Sequence, residues 1–221
     1  MLPATALGGE PDAGDCEAAM ENLYLIAGLG NPGAEYERTR HNIGFMLADA
    51  LAARWRAVWK TVRKFDARMA EAGVADRRVL LCEPQTFMNE SGSAVQAARA
   101  FYHVPLERVL VAVDDADLPL GSIRMRGNGS AGGHHGLESV ERHLGTRHYA
   151  RLRMGIGRRD PAVREITGHV LGRFAKAEAE CVATVLDRAA SQVECWLAGG
   201  LSKAMSQFNG PVEGPEQKDT K

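Results

Sequence analysis

Apolar positions along this chain fall into two alternating patterns. Short continuous runs of strand type occur at residues 23–29, 108–113 and 152–157. Stripes at helical spacing separate them. A helix is predicted over 44–57, with Ile43, Phe45, Met46, Leu47, Ala50 and Leu51 as core candidates. Residues 60–83 read as a β-ribbon: one strand from Lys64 to Val74, a turn at Ala75-Asp76, and a return from Arg78 to Cys82. A second helix is expected at 92–103, a strand at 121–126, and a helix beginning near His134. A short loop or helix around 169–171 precedes a long helix over 176–199. There Val182, Val185, Leu186, Ala189, Val193 and Trp196 mark the core face.

Strands alternating with helices predict an α/β fold. The run Arg108-Val-Leu-Val-Ala-Val113 is apolar on both faces, as in a buried parallel strand. We expect a single domain over 22–209, built on a twisted, mostly parallel mixed sheet flanked by helices on both faces. Residues 1–21 are rich in Gly, Ala, Pro and Asp, without the charged start and apolar centre of a signal peptide. They are expected to be a disordered extension, with Met20 as an alternative start. The Pro-, Gly- and charge-rich stretch 210–221 is expected to be a disordered tail.

The chain has 221 residues, 45% hydrophobic and 25% charged, enough for one full core. No apolar run approaches the ~20 residues of a membrane span. Cys16, Cys82, Cys181 and Cys195 lack C-x-x-C spacing and read as reduced thiols of a cytoplasmic protein. Trp55 and Trp59 read as packing residues. No large apolar stripe is left over, so a monomer is expected. Net charge is −1 overall, but its distribution is uneven. Over 121–160, eight arginines face only Glu138, Glu141 and Asp160, a local charge of +5. Arg124/Arg126 and Arg151/Arg153 alternate along predicted strands, so each pair shares a face. Such a face suits phosphate groups. The alternative is a scatter of solvated charge.

Candidate chemistry sits where predicted strands end. The first run breaks at Gly28-Leu29-Gly30-Asn31-Pro32-Gly33 and delivers Tyr36, His41 and Asn42 before the helix. G-x-G-x-x-G matches the dinucleotide fingerprint, yet its context fails. Pro32 biases Asn31 away from helical geometry, a polar loop follows Gly33, and Asp49 falls inside a helix rather than at a strand end. A nucleotide-dependent oxidoreductase is therefore disfavoured. The second loop carries Phe87-Met88-Asn89-Glu90-Ser91. Asn89 or Ser91 could cap the next helix, or Asn89 could face a site; spacing alone favours the cap. The third strand ends in Asp114-Asp115-Ala116-Asp117. These acids lack calcium-loop spacing, and the chain turns at once into another strand. The glycine-rich stretch Gly127 to Gly136 runs into a helix start and suits an anion. Its adjacent His134 and His135 point to different helix faces, against a shared metal. A histidine with a carboxylate partner makes a general base. No serine or cysteine has a nucleophile setting. His41 with Asp114, Asn31 and Asn89 therefore suggests activation of water. The residues alone reach an acyl-transfer type hydrolase with a basic, RNA-compatible face.

Three blocks share a pattern of wider span. Gly28 to Gly44 reads G-L-G-N-P-G-x-x-Y-x-x-T-R-H-N-x-G, Pro84 to Gly92 reads P-x-T-F-M-N-x-S-G, and Asp114 to Gly121 reads D-D-x-D-L-P-x-G. Together they resemble the bacterial-type peptidyl-tRNA hydrolases, over about residues 23–200. The resemblance implies cofactor-free, metal-free hydrolysis of the ester between a peptide and the 3′-terminal ribose of tRNA. It implies His41 as the base that activates water, with Asp114 orienting it. It implies that Asn31, Phe87, Met88 and Asn89 contact the substrate, Asn31 separating blocked from free aminoacyl esters. Tyr36 would lie on the tRNA side, and Arg124, Arg126, Arg151 and Arg153 would meet tRNA phosphates. Peptidyl-tRNA is the implied partner. A non-catalytic RNA-binding protein is the alternative on the same fold. One position departs from the family pattern: His135 stands where the family commonly carries an Asn that touches substrate. Retained activity with altered affinity or pH dependence is expected from it.

Overall fold

A computed structural model describes residues 22–158 and 167–212. The expected extension 1–21, the Arg159-Asp160-Pro161 loop and residues 213–221 lie outside the described residues. The strands are β1 Leu23–Gly28, β2 Lys60–Val62, β3 Ala67–Val74, β4 Arg77–Pro84, β5 Val109–Asp115, β6 Ser122–Arg126, β7 Ala150–Gly155 and β8 Gly210–Pro211. The helices are α1 Ile43–Trp55, α2 Ser91–Phe101, α3 His135–Leu144, α4 Thr167–Val170 and α5 Ala179–Phe208.

The eight strands of the described residues join one mixed sheet in the order β2-β3-β4-β1-β5-β7-β6-β8. The centre is parallel: β1 pairs with β4 and β5, and β5 with β7. The flanks are antiparallel. Side-chain alternation on β5 divides the core. Val109, Val111 and Val113 pack with Ala94, Val95 and Ala98 of α2 and with Leu137 and Val140 of α3. Leu110 and Ala112 pack on the other face with Leu47 and Leu51 of α1 and with Val185, Val193 and Trp196 of α5. Helices therefore cover both faces, as a parallel centre requires.

The close approach of α1 to the sheet explains two glycines. A Cβ on Gly28 would lie 2.2 Å from the Gly44 carbonyl oxygen. A Cβ on Gly44 would lie 2.4 Å and 2.5 Å from the carbonyl oxygens of Leu29 and Ala112. The first turn of α1 thus rests directly on the ends of β1 and β5.

Several boundaries differ from expectation. The ribbon has an added strand, β2, and a 3-10 turn at Arg63–Phe65, so β3 starts at Ala67 rather than Lys64. In α1, Phe45, Met46 and Ala50 are only half-buried, while Gly44, Ala48 and Ala52 take core positions. The last helix continues past 199 to Phe208, across a kink at Gly200 with φ 79°. Gly210 and Pro211 are not tail: they pair with Ile123 and Ser122 as β8. Cys82, Cys181 and Cys195 are free thiols. Among the described residues, no helix is long and apolar enough to cross a membrane.

Candidate active site

His41 lies on a single 3-10 turn, Arg40–Asn42, which leads into α1. Asp114 lies near the end of β5, next door to β1. Because α1 sits on those two strand ends, His41 Nδ1 comes 2.8 Å from Asp114 Oδ1. The Asp114 carboxylate is 3% exposed and the His41 ring 13%, so one end of the ring still reaches solvent. A second imidazole meets the same oxygen: His134 Nε2 is 2.9 Å from Asp114 Oδ1. His134 flanks α3, and its Nδ1 accepts the Leu137 N–H at 3.3 Å. His134 therefore carries its proton on Nε2 and donates it to Asp114.

Burial pushes the Asp114 carboxyl up, but the His134 and His41 imidazoles outweigh it and hold it well below the usual carboxylate range. Asp114 is thus ionised and accepts from both rings. His41 donates from Nδ1, which leaves the Nε2 lone pair free.

Asn31 is 8% exposed and tied down by three bonds. Its N–H donates to Asn42 Oδ1 at 2.9 Å, and its carbonyl accepts from Asn42 Nδ2 at 2.9 Å. Its Oδ1 accepts the Met88 N–H at 2.8 Å. The acceptor end of the amide is thereby used, and Nδ2 keeps its donors. Met88 is buried. Phe87 is 60% exposed, unusual for a large apolar ring. Asn89 is exposed on a 3-10 turn, Met88–Glu90, and caps nothing: α2 follows Glu90 without a side-chain cap. The capping role that spacing favoured for Asn89 or Ser91 is not realised. Tyr36 is half-buried in the turn between Gly33 and Thr39.

The arginines separate by depth. Arg124 stands opposite Arg153, and Arg126 opposite Arg151, on paired strands. Like charges so placed repel, and carboxylates offset them. Asp115 Oδ2 accepts from Arg124 and from Arg153, each at 3.2 Å. Arg151 is a correction to the sequence reading. It is 1% exposed, with its guanidinium donating to Gly129 and Arg147 carbonyls and to Glu141. It braces the glycine-rich loop and borders the cleft beneath it with its guanidinium shielded from solvent. Arg153 also holds that loop, through Ser130 and Ala131 carbonyls. Arg124 and Arg126 reach solvent, and Arg126 has no polar partner among the described residues. With Arg153 they line a cleft of about 440 Å³ beside Asp115. His135 is exposed and bonds Glu138 through Nδ1 at 3.0 Å, outside the Asp114 cluster.

Sequence reasoning missed His134 and Asn42 as site residues. Their signals were a histidine before a helix start and an Asn beside His41. His41, Asp114 and His134 could present three donor atoms to one metal ion. Their spacings are hydrogen-bond lengths, and both rings spend N–H groups on one carboxylate oxygen, so the set fits a proton relay better than a metal cage. The two other acids at this end of β5 diverge: Asp115 turns to arginines, and Asp117 pairs with Arg158.

Comparison with known proteins bears on the arrangement. Residues 25–218 match the family model described as peptidyl-tRNA hydrolase. The chain is similar to the peptidyl-tRNA hydrolase of Carboxydothermus hydrogenoformans, 49% identical over 85% of this chain and 98% of the relative. It is similar to that of Gloeobacter violaceus, 46% identical over 85% and 94%. The crystal structure of peptidyl-tRNA hydrolase from Acinetobacter baumannii superposes with TM-score 0.81 and 37% identity, over 87% of this chain and 97% of the other.

Proposed function

The chain belongs to the peptidyl-tRNA hydrolase family, and from that premise we propose that it hydrolyses the ester linking a peptide to the 3′-terminal ribose of tRNA, with His41 activating the water. One observation carries the assignment of the base. Ionised Asp114 accepts a hydrogen bond from the Nδ1–H of His41, so the Nε2 lone pair is available. Nε2 removes a proton as the water oxygen attacks the ester carbonyl carbon. The charge that develops on the carbonyl oxygen is met by the Asn89 amide or a backbone N–H. The tetrahedral intermediate then collapses, the ester C–O bond breaks, and the leaving ribose oxygen takes the proton back from the imidazolium. His134 keeps Asp114 ionised and oriented throughout. Each step uses only water and side chains.

The commitment of Asn31 Oδ1 to Met88 supports a basis for selectivity. Nδ2 can only donate. A blocked amino group offers an amide carbonyl to accept that bond, whereas a free α-ammonium offers only donors and leaves Nδ2 unpaired. Phe87 and Met88 would flank the peptide, Tyr36 the acceptor end of tRNA. Arg124, Arg126 and Arg153 would meet backbone phosphates, and exposed His135 would touch substrate from the rim. Recycling of prematurely released peptidyl-tRNA is a task of the translating compartment, which supports a cytoplasmic protein. Exposed large apolar side chains among the described residues are the scattered Val58, Phe87, Phe101 and Leu171, which supports a monomer.

The test is release of N-blocked aminoacyl groups from tRNA by wild type and His41→Ala, with unblocked aminoacyl-tRNA as control. Hydrolysis of the blocked ester alone, lost in the variant, is expected. Tight tRNA binding without hydrolysis would favour the RNA-binding alternative.

A further inference from the structure

The turn that carries His41 cannot support itself. Three residues of 3-10 helix lie below any self-sustaining length, and Thr39 gives the turn no side-chain cap. Consecutive side chains on such a turn point about 120° apart, because it has three residues per turn. Each of the three is anchored to a different part of the molecule. His41 reaches Asp114 on β5. Asn42 reaches the backbone of Asn31. Arg40 reaches the C-terminal third.

The Arg40 anchor is built with care. Arg40 is only 6% exposed. Its Nη2 donates to both Glu178 oxygens, at 3.0 and 2.8 Å, and Nη1 donates to the Ile156 carbonyl at 3.4 Å. The guanidinium lies 4.7 Å from the centre of the Phe174 ring. The Arg40 N–H donates to the Gly172 carbonyl at 2.9 Å, and Thr39 forms a β-bridge with Arg173. Glu178 is itself fixed, since its Oε2 accepts the Ala175 N–H at 2.6 Å. Partial burial pushes the Glu178 carboxyl up, but the Ala175 N–H and Arg40 outweigh it, so it stays ionised below the usual range.

We propose that the Arg40–Glu178 pair is a positioning device for His41, one leg of a tripod that sets the angle at which the imidazole meets Asp114 and the attacking water. Without the pair, the third leg is reduced to the Arg40 N–H bond to Gly172 and the Thr39–Arg173 bridge, and the turn can tilt about the line joining the Asp114 and Asn31 anchors. Such a tilt swings Nε2 while leaving the substrate-binding groups in place. Segment 172–178 thereby becomes part of the catalytic apparatus without touching substrate. The inference rests on His41 being the base.

The experiment compares wild type with Glu178→Gln, Glu178→Ala and Arg40→Lys by steady-state hydrolysis of N-blocked aminoacyl-tRNA and by histidine side-chain NMR. His41→Ala assigns the His41 signals. Near-isosteric Glu178→Gln keeps one acceptor oxygen and a folded chain. In Glu178→Ala, kcat is expected to fall about tenfold with KM changed less than about twofold, since misplacement of a reacting group costs rate rather than binding. Glu178→Gln should fall between it and wild type. Arg40→Lys should behave like the alanine variant, because an ammonium has no second nitrogen for the Ile156 carbonyl and no planar face to lay on the Phe174 ring. The His41 ring signals should shift in each, while those of His143 stay fixed on the Ser139 carbonyl. The proposal is overturned if Glu178→Ala keeps wild-type kcat, or if activity falls while the His41 signals do not move. If wild type releases no blocked aminoacyl group, the reaction has been misassigned, and the His41 signals still decide whether the pair positions the ring.

Discussion

Asn31 shows how a single residue can be legible as chemistry and illegible as mechanism. Its place after a strand, in a glycine-rich turn, marked it as a site residue. Its selectivity depends on which end of the amide is free, and that is set by the Met88 N–H, 57 positions away in sequence. Asn31→Asp tests the point. The carboxylate can still accept from Met88, so the turn should hold. The donor is lost, and a carboxylate attracts a free ammonium. The ratio of hydrolysis rates for blocked over unblocked aminoacyl-tRNA should fall about tenfold or more, the worth of one net hydrogen bond with its discrimination reversed. An unchanged ratio, with kcat/KM measured for both esters, would remove Asn31 from the selectivity role. His134 was hidden for a related reason. Beside His135 it looked like one of two histidines on diverging faces, which is correct. Nothing local says that one of those faces turns to Asp114, 20 residues earlier.

At the scale of elements, the apolar runs were enough to locate β1, β5 and β7 and the helices between them. Ends were less legible, because a glycine that reads as a stop can be a kink. The last helix was expected to end at 199, beside Gly200, yet packing of Ala204 and Met205 against the core carries it on. The seam between α1 and the sheet is the element on which the site depends. Gly44→Ala places a methyl 2.4 Å from one carbonyl oxygen and 2.5 Å from another, both backbone. The helix must lift, at a cost of about 1–3 kcal/mol, and His41 should leave Asp114 with it. Chemical denaturation and kcat measured together should both fall; a stable, fully active variant would mean that the seam is looser than its geometry. At the end of β4, Glu83 offers a second test. It is fully buried, Arg68 opposite it binds Oε2 at 2.8 Å, and Oε1 has no partner. Burial pushes this carboxyl up to about 8, Asp49 adds to the rise, and half-exposed Arg68 only partly offsets it. Between the ordinary carboxylate range and about pH 8, the folded chain holds a proton that the unfolded chain has released. The protein therefore loses stability as pH rises through that window. Glu83→Gln has no such proton to lose. Its Tm should match wild type near pH 5 and exceed it near pH 9. Parallel Tm curves over that range would show that Arg68 keeps Glu83 ionised.

The whole molecule carries almost no net charge and still presents a positive cleft, so its attraction for tRNA is a matter of placement. Alternation along β6 and β7 assigned four arginines to one face, and the register confirms that they oppose each other in pairs. Alternation gives face and not depth. The glycine-rich loop folds over Arg151, buries it, and leaves Arg126 in solvent. The two residues, directly opposite, should then fail in different ways. Arg126→Ala should leave Tm and kcat near wild type, raise KM for tRNA esters, and lower the slope of log affinity against log salt by about one. Arg151→Ala strips a buried charge from Glu141 and from three backbone carbonyls. It should cost about 3–5 kcal/mol of stability, as breaking a buried pair does. Any rise in KM there should come without a change in salt slope, since no phosphate contact has been lost. Binding measured between roughly 50 and 200 mM salt separates the two. Equal slopes for Arg126→Ala and wild type would move the phosphate contact off this cleft. A reduced slope in Arg151→Ala would mean that the loop opens on tRNA and exposes the buried guanidinium.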